Sequence, residues 1–316
     1  MKSRKHKNTL YLPFSIPISQ VAEEMGVSIY STENITKTLT ESKKSIHPKT
    51  TFLNDIDLNQ WKDYAEIITD SLWIFGSRDK SGAHTAELHG NFIPQIPRQA
   101  MLRYTKKGEI VLDTFLGSST TLIECKRLGR HGIGIELLPN MVKRAKEIIE
   151  KEENPYKVIT EIIEGDSTLK ETIEKVKDVL KKQLNKNSVQ LIIMHPPYHD
   201  IIKFSNHPQD LSNTPTVEIF LEKFSQVVKN TYDLLDQKRF LVLVIGDKYS
   251  KGEWIPLGFY TMQKVLENGY KLKSIVVKNI VGNRAKRNLE NLWRRRALLG
   301  GFYIFKHEYI MFFQKK

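Results

Sequence analysis

Residues 108–137 read GEIVLDTFLGSSTTLIECKRLGRHGIGIEL and contain a strand, a helix and a second strand in close succession. A short apolar run ends at Asp113, residues with helical apolar spacing follow up to Gly129, and a second apolar run ends at Glu136. Two strands joined by a helix need a crossover connection, which favours a parallel pair. The stretch therefore predicts the first unit of a parallel α/β sheet.

The same alternation continues to the end of the chain. Later strands are predicted over 158–166, 188–194, 239–247, 271–278 and 307–315, and helices over 139–153, 169–184, 217–235 and 256–269. This order predicts a doubly wound, mostly parallel, seven-stranded α/β sheet. We expect the last strand to enter antiparallel, because no core helix separates it from the strand region before it.

Composition limits the class of protein. The 316 residues are 40% apolar and 27% charged, as in soluble globular proteins. No apolar run approaches the roughly 18 residues of a membrane span, and the basic start MKSRKHKN lacks the apolar stretch of a secretory signal. The single cysteine, Cys125, permits no internal disulfide. A cytoplasmic protein without membrane association is expected.

Charge points to a polyanionic partner. The formal net charge is +13, and residues 270–316 hold twelve Lys or Arg against Glu290 and Glu308. Basic residues gathered in one region are typical of nucleic-acid-binding proteins. The alternative is an ordinary solvated surface on a lysine-rich protein.

Residues 1–60 differ from the rest and are interpreted as a separate small helical segment. The stretch ISQVAEEMGVSIYSTENITKTLTES has the spacing of a helix-turn-helix, with Ala22 and Gly26 allowing two helices to approach closely. Any short helical hairpin can have the same pattern. Residues 61–316 are predicted to form the main domain.

Three acidic residues end successive predicted strands. They are Asp113, Glu136 and Asp166, and Gly117 follows the first of them in a tight loop. Ligands of such sheets bind at the carboxyl ends of the strands, where carboxylates can hold ribose hydroxyls or an adenine amine. The loop lacks the glycine spacing of dinucleotide and ATP sites, so another cofactor is favoured. Each acid alone could instead be a helix cap or turn former.

The fourth strand end carries His195-Pro196-Pro197-Tyr198. Two prolines make the backbone rigid and remove two N–H donors, so carbonyl groups are presented. A flat ring with an exocyclic amine could be held by the His195 side chain and the Pro196 carbonyl, with Tyr198 stacked on its face. The motif is interpreted as a clamp for such an amine.

Several motifs together resemble those of the DNA amino-methyltransferases. LDTFLGSSTTLIE resembles their motif I, HPPY their motif IV, and HGNFIPQIPRQAMLRYTKKGEIVLD their motif X. The resemblance covers roughly residues 70–316, and the order X, I, IV is like that of the gamma group. It implies a Rossmann-like methyltransferase sheet, S-adenosylmethionine as cofactor, and methylation of adenine N6 or cytosine N4.

Site residues carry over by motif position. The resemblance implies cofactor contacts from Phe92, Pro94, Asp113, Phe115, Gly117, Ser118, Thr120, Glu136 and Asp166. It implies a catalytic clamp of His195, Pro196, Pro197 and Tyr198, and no metal.

The chain departs from the family pattern at three positions. The family usually has proline at 114 and glycine at 119, where this chain has Thr114 and Ser119, and we expect Ser119 to narrow the loop. Position 195 is usually Asp or Asn for adenine and Ser for cytosine, so His195 leaves the target base open. A histidine accepts an N–H only through an unprotonated nitrogen, so methyl transfer is predicted to fall on acidification through the histidine range. The alternative is that His195 faces away and bonds a neighbouring backbone group.

A basic loop over residues 282–301 is the predicted DNA contact. Its cations are Arg284, Lys286, Arg287, Arg294, Arg295 and Arg296. Such a loop can track phosphates, so double-stranded DNA is the expected partner, with a cognate restriction endonuclease as a further candidate. Two other interpretations stay open: an RNA base amino-methyltransferase, and a non-catalytic DNA-binding protein that retains the fold.

Overall fold

The computed structural model describes residues 52–85, 90–280 and 290–316. Most of the predicted helix-turn-helix segment, up to residue 51, lies outside the described residues, as do Arg284, Lys286 and Arg287. Within the described ranges, no helix combines the length and the apolar character needed to cross a membrane.

Strands and helices alternate through most of the described chain. The strands are β1 (Leu72–Trp73), β2 (Ile110–Asp113), β3 (His131–Glu136), β4 (Thr160–Glu164), β5 (Val189–Met194), β6 (Leu235–Ile245), β7 (Lys248–Ser250), β8 (Glu253–Ile255), β9 (Tyr270–Asn279) and β10 (His307–Lys315). The helices are α1 (Gln95–Tyr104), α2 (Thr120–Leu128), α3 (Pro139–Glu150), α4 (Lys170–Gln183), α5 (Val217–Tyr232), α6 (Leu257–Glu267) and α7 (Glu290–Gly300).

Eight strands form one sheet in the order β1-β9-β10-β6-β5-β2-β3-β4. Neighbouring strands are parallel except that β10 is antiparallel to both β9 and β6. The predicted fold class, with its antiparallel last strand, is therefore confirmed. The strand beyond the predicted seven is β1, whose two residues pair with Val277 and Lys278 at the edge.

The apolar residues of the central strands alternate between two buried layers. Ile110, Leu112, Ile192 and Met194 pack on the layer that also contains residues of α4, α5 and α6. Val111, Leu191 and Ile193 pack on the layer that contains residues of α1 and α2. Since successive strand residues point to opposite faces, the near-continuous apolar runs indicate a sheet buried on both faces, as doubly wound folds require.

Strand order reverses at β2. From β2 the chain proceeds through β3 and β4 in one direction, and then returns to place β5 on the other side of β2. The register sets Asp113, at the end of β2, opposite Ile193, close to the end of β5. A crevice therefore opens at the carboxyl ends of these two strands, which is where doubly wound sheets bind ligands.

A small hairpin that the sequence did not predict follows β6. Strands β7 and β8 pair antiparallel, and Lys251 and Gly252 between them have φ of 52° and 86°. Two positive φ values are the geometry of a tight hairpin turn. The ring of Tyr249 in this hairpin stacks on Phe302 at 4.1 Å, which fixes the chain that follows α7.

Gly134 in β3 allows the loop after β2 to lie directly on the sheet. A Cβ added at Gly134 would lie 2.5 Å from Cδ2 of Leu116 in that loop. Leu116 is buried, and its N–H donates to the Ile135 carbonyl at 2.9 Å. The glycine therefore determines how closely this loop approaches β3.

We expect Gly134→Ala to lower the free energy of unfolding by about 1–3 kcal/mol, as overpacking of a filled core does. Gly76→Ala is the control, because a Cβ there would have nothing within 4 Å. Urea unfolding of the two variants measures the difference. Equal stability of both variants would contradict the close packing of the loop on β3.

Candidate active site

The carboxylate of Glu136 organises the loop after β2. Gly117 has a φ of 56°, and its N–H donates to Oε2 of Glu136 at 2.9 Å. The N–H of Leu138, at the start of α3, donates to Oε1 at 2.9 Å. Burial raises the pKa of Glu136, and these backbone N–H groups oppose that effect. Each oxygen keeps a lone pair for a ligand, because a carboxylate can accept more than two hydrogen bonds.

Asp113 holds the same loop through two hydrogen bonds. Its oxygens accept hydrogen bonds from the Phe115 N–H at 2.9 Å and from the Thr121 hydroxyl at 2.5 Å. Burial raises the pKa of Asp113 to about 6, although both hydrogen bonds lower it. Asp113 is 1% exposed and does not border the cavity described below, so its place in the structure is a supporting one.

The two departures in this loop have clear structural consequences. Ser119 has a left-handed φ of 66°, and its hydroxyl donates to the Ala145 carbonyl at 3.1 Å. The side chain therefore points to α3, and the expectation that it narrows the loop is wrong. The N–H of Thr114 donates to the Ile193 carbonyl at 3.2 Å, a bond that proline could not make.

A cavity of about 390 Å³, here called the loop cavity, lies at the ends of β2, β3 and β4. Six of the predicted cofactor residues line it: Phe92, Phe115, Gly117, Thr120, Glu136 and Asp166. Its apolar walls include Leu116, Leu138 and Met141. The cavity thus combines apolar surface with three carboxylates, those of Glu136, Asp166 and Asp210, and a few polar groups among apolar walls are usual in a small-molecule site.

Two other predicted cofactor residues do not border the loop cavity. Pro94 is buried at the start of α1. Ser118 is buried, and its hydroxyl oxygen accepts a hydrogen bond from the Asn91 amide. This bond connects the loop after β2 with the chain beside Phe92. Asn91, which the sequence analysis did not single out, lines the cavity itself.

A second cavity of about 490 Å³, here called the clamp cavity, lies beside the first. All four residues of the predicted clamp line it: His195, Pro196, Pro197 and Tyr198. Charged side chains from other elements also border it: Arg78, Lys80, Lys278 and Glu308. The end of β5 therefore opens into a space with both apolar and charged walls.

The two cavities share a wall. Phe92, His195 and Pro197 line both, as do Ile202 and Phe204 from the chain after the clamp. The rings of Phe92 and His195 meet edge to face, with centroids 4.9 Å apart. The two cavities therefore adjoin each other at the His195 ring.

His195 is connected to a buried ion pair. Its Nε2 lies 3.3 Å from the Tyr198 hydroxyl, and that hydroxyl donates to Oε2 of Glu308 at 2.8 Å. Nζ of Lys278 donates to Oε1 of Glu308 at 2.7 Å. Enclosure by protein lowers the pKa of His195 to about 4, with Glu308 opposing this effect and Lys278 adding to it. His195 is thus neutral at physiological pH, and it faces the cavities.

Lys278 and Glu308 are site residues that the sequence analysis did not assign. They lie in β9 and β10 and are register partners across the antiparallel pair. The available signal was a charged residue directly beside an apolar run in each strand, because charged residues are rarely buried unless they are paired.

The segment after the clamp is held over both cavities. Nε2 of His199 lies 2.8 Å from the Thr214 carbonyl, and Nδ1 lies 2.9 Å from Nζ of Lys248. Lys248 also pairs with Asp200. These contacts place Ile202 and Phe204 at the shared wall of the two cavities.

Three of the predicted DNA-contacting residues lie in α7. Arg294, Arg295 and Arg296 are all exposed, and the Arg296 guanidinium lies 5.4 Å from the Trp293 ring centroid. None of the three lines either cavity. The basic helix is therefore a surface feature distinct from the clamp.

One group of metal-type side chains lies elsewhere. Asp79, His84 and Glu124 offer ligand atoms within 4.8 Å of one another. Arg127 lies 3.5 Å from both carboxylates and 2.7 Å from Glu152. A guanidinium thus already supplies positive charge to this cluster.

Part of the chain is similar to known DNA methyltransferases. Residues 4–147 match the family model of the N6/N4 methyltransferases, described as DNA methylase. The Type II methyltransferase M.MjaII of Methanocaldococcus jannaschii is 27% identical over 181 residues, covering 57% of this chain and 27% of that protein. The Type II methyltransferase M2.DpnII of Streptococcus pneumoniae is 33% identical over 124 residues, covering 39% and 44%.

The chain spans less than half the length of each of these relatives. Among solved structures, TrmN from Thermus thermophilus is similar with a TM-score of 0.47 and 15% identity, over 73% of this chain and 51% of that one. The sequence matches support an N6/N4 amino-methyltransferase that uses S-adenosylmethionine as its cofactor.

Proposed function

We propose that the protein methylates the exocyclic amine of a base in double-stranded DNA, either cytosine N4 or adenine N6. The observation that carries this proposal is that the neutral ring of His195 borders two cavities at once. In this arrangement the loop cavity holds the cofactor and the clamp cavity holds the base.

The residues of the loop cavity fit S-adenosylmethionine. Its volume of about 390 Å³ falls within the usual range for small-molecule sites. Glu136 has lone pairs for the ribose hydroxyls, and Asp166 lies in the loop directly after β4, where an adenine amine would be held. The positive φ of Gly117 lets the backbone approach the methionine part closely.

The clamp cavity supplies what an amine needs. An unprotonated nitrogen of His195 and the Pro196 carbonyl would each accept one of its hydrogens. These hydrogen bonds draw the amine lone pair out of the ring system and aim it at the shared wall. Tyr198 borders the same cavity and provides a ring face for the base.

Methyl transfer then depends on how the cofactor and the amine are placed relative to each other. S-adenosylmethionine, when bound, supplies an electrophilic methyl group on a sulfonium sulfur. The amine nitrogen would gain this methyl group and lose one proton to His195, with S-adenosylhomocysteine as the leaving group. Correct orientation of two reactants can lower the barrier by about 7–11 kcal/mol. Phe92 and Phe204 at the shared wall would exclude water from the transfer.

DNA is the substrate that the family description and the basic surface favour. A base reaches the clamp cavity only after leaving the duplex, which costs a few kcal/mol. Lys80 at the cavity would contact a phosphate near the extruded base, and α7 would contact the duplex further away. A cytoplasmic location and a cognate restriction endonuclease as partner belong to the same proposal.

Nucleosides from plasmid DNA co-expressed with the protein test the proposal, in a host without these two modifications. Mass spectrometry should detect N6-methyladenine or N4-methylcytosine, and whichever appears assigns the base. His195→Ala should reduce the modified fraction about 100-fold or more, since acid–base groups typically contribute that much. Absence of both bases in DNA, with methylated bases present in RNA, would contradict the choice of substrate.

The pH dependence tests the state of His195. Because burial lowers its pKa to about 4, the ring is neutral above about pH 5. The sequence-based expectation of a fall through the ordinary histidine range is therefore revised. We expect kcat/KM for DNA methylation to be flat with respect to this group from pH 5.5 to 8 and to decline as pH approaches 4.

His195→Asn is the control, because an amide accepts a hydrogen bond without titrating. This variant should lose the acidic decline that belongs to the ring. A wild-type midpoint near pH 6.5 that disappears in the variant would contradict the buried, neutral state.

Binding to duplex DNA tests the role of α7. Replacing Arg294, Arg295 and Arg296 with glutamine should weaken binding and reduce the slope of log K against log salt by about 0.9 for each phosphate that is no longer neutralised. The matched control replaces Lys177, Lys181 and Lys182 of α4, which are exposed and carry the same charge. Equal effects of the two triple variants would argue against a specific contact by α7.

A further inference from the structure

A continuous chain of hydrogen bonds runs from β9 and β10 to the clamp. Lys278 donates to Glu308, Tyr198 donates to the other oxygen of Glu308, and Tyr198 lies beside Nε2 of His195. The side chains of Lys278 and Glu308 are 6% and 10% exposed. Since they face each other across paired strands, their position is fixed by the sheet.

The chemistry of the partners fixes the direction of the protons. A carboxylate paired with an ammonium group only accepts, so the single hydroxyl hydrogen of Tyr198 must point to Glu308. The Tyr198 oxygen can then only accept from His195. Burial raises the pKa of Tyr198 well above its usual value, so this hydrogen is retained.

The consequence for His195 is a defined tautomer. A neutral imidazole carries one N–H, and here that N–H must be on Nε2. Nδ1 is then a bare acceptor, and it has no hydrogen-bond partner among the residues that the structure describes. His195 lines both cavities, so the free acceptor belongs to the site.

We infer that Glu308 is a positioning residue: through Tyr198 it holds His195 as the Nε2–H tautomer, leaving Nδ1 to accept a hydrogen of the substrate amine. The role of Nδ1 toward the substrate rests on the proposed function, whereas the tautomer of His195 rests on the hydrogen-bond chain alone. This tautomer gives the unusual histidine of the clamp the same acceptor property that a carboxylate or amide oxygen would have there.

Glu308→Gln should reverse the direction of the hydrogen bonds from residue 308 to His195, because glutamine has nearly the same shape as glutamate but can donate. Lys278 would attract the amide oxygen, which turns the amide NH₂ group toward Tyr198. The Tyr198 hydroxyl would then donate to Nε2 of His195, and the ring proton would move to Nδ1. The variant thus converts the acceptor that faces the substrate into a donor.

Two readouts separate this role from a purely structural one. Long-range ¹⁵N–¹H correlation spectra of histidine-labelled protein, with His195 assigned from His195→Asn, should place the proton on Nε2 in the wild type and on Nδ1 in Glu308→Gln. Activity should fall about 100-fold in kcat, with the affinity for S-adenosylmethionine unchanged.

Asp247→Asn is the matched control. Asp247 accepts from the Tyr309 hydroxyl at 3.1 Å, and Tyr309 lies 3.2 Å from Nε2 of His307, which repeats the same arrangement away from both cavities. It should leave the tautomer of His195 unchanged. If Glu308→Gln does not fold, Tyr198→Phe removes only the hydroxyl, and it should lower kcat and abolish the single tautomer.

The inference would be overturned if Glu308→Gln or Tyr198→Phe kept the wild-type tautomer of His195 and the wild-type kcat. The proposed function would still stand in that case, provided that the wild-type protein methylates DNA. A wild-type protein that shows the Nε2–H tautomer but methylates no DNA would overturn the proposed function alone. A proton on Nδ1 in the wild type would overturn the inference directly.

Discussion

The parallel pairing of β2 with β5 is the constraint on which the site depends. It places Asp113 opposite Ile193, so the loop after β2 and the clamp after β5 begin side by side. The two motifs are about 80 residues apart in sequence, yet the register leaves them no other arrangement. The bond from Thr114 to the Ile193 carbonyl extends this pairing one residue beyond β2. Both cavities are consequences of this one pairing.

Each cavity has its own electrostatic character. The loop cavity is lined by three carboxylates, and one of them, Glu136, accepts a hydrogen bond from a backbone N–H of the loop after β2. The clamp cavity contains a neutral histidine backed by a buried ion pair. A buried ion pair is weak support for stability, but it can fix the geometry of the groups it contacts. Lys278 and Glu308 are suited to fixing the geometry of Tyr198 and His195 in this way.

Most of the fold could be predicted because its signals are local. In β2 and β3, for example, an apolar run is followed at once by a carboxylate and then by residues with helical spacing. All of these signals lie within a short stretch of sequence. The edge strand β1 escaped prediction because two residues carry no periodicity, and its pairing depends on β9. The hairpin of β7 and β8 had only the Lys251-Gly252 turn as a signal.

The candidate site divides in the same way. Six of the residues that line the loop cavity follow from motif position, whereas the supporting place of Asp113 and the direction of the Ser119 side chain depend on contacts with Thr121 and Ala145. Lys278 and Glu308 become site residues only through the register of β9 with β10, 30 residues apart in sequence. The pKa of His195 likewise depends on burial, which its neighbours in sequence do not reveal.

We propose that the loop cavity binds the cofactor and the clamp cavity binds the base. A crystal structure with S-adenosylhomocysteine tests this assignment most directly. The ligand should occupy the loop cavity, with its ribose on Glu136 and its sulfur toward the wall formed by Phe92 and His195, and the clamp cavity should remain free of it. A ligand bound in the clamp cavity, or one that leaves Glu136 without a ribose contact, would contradict that assignment.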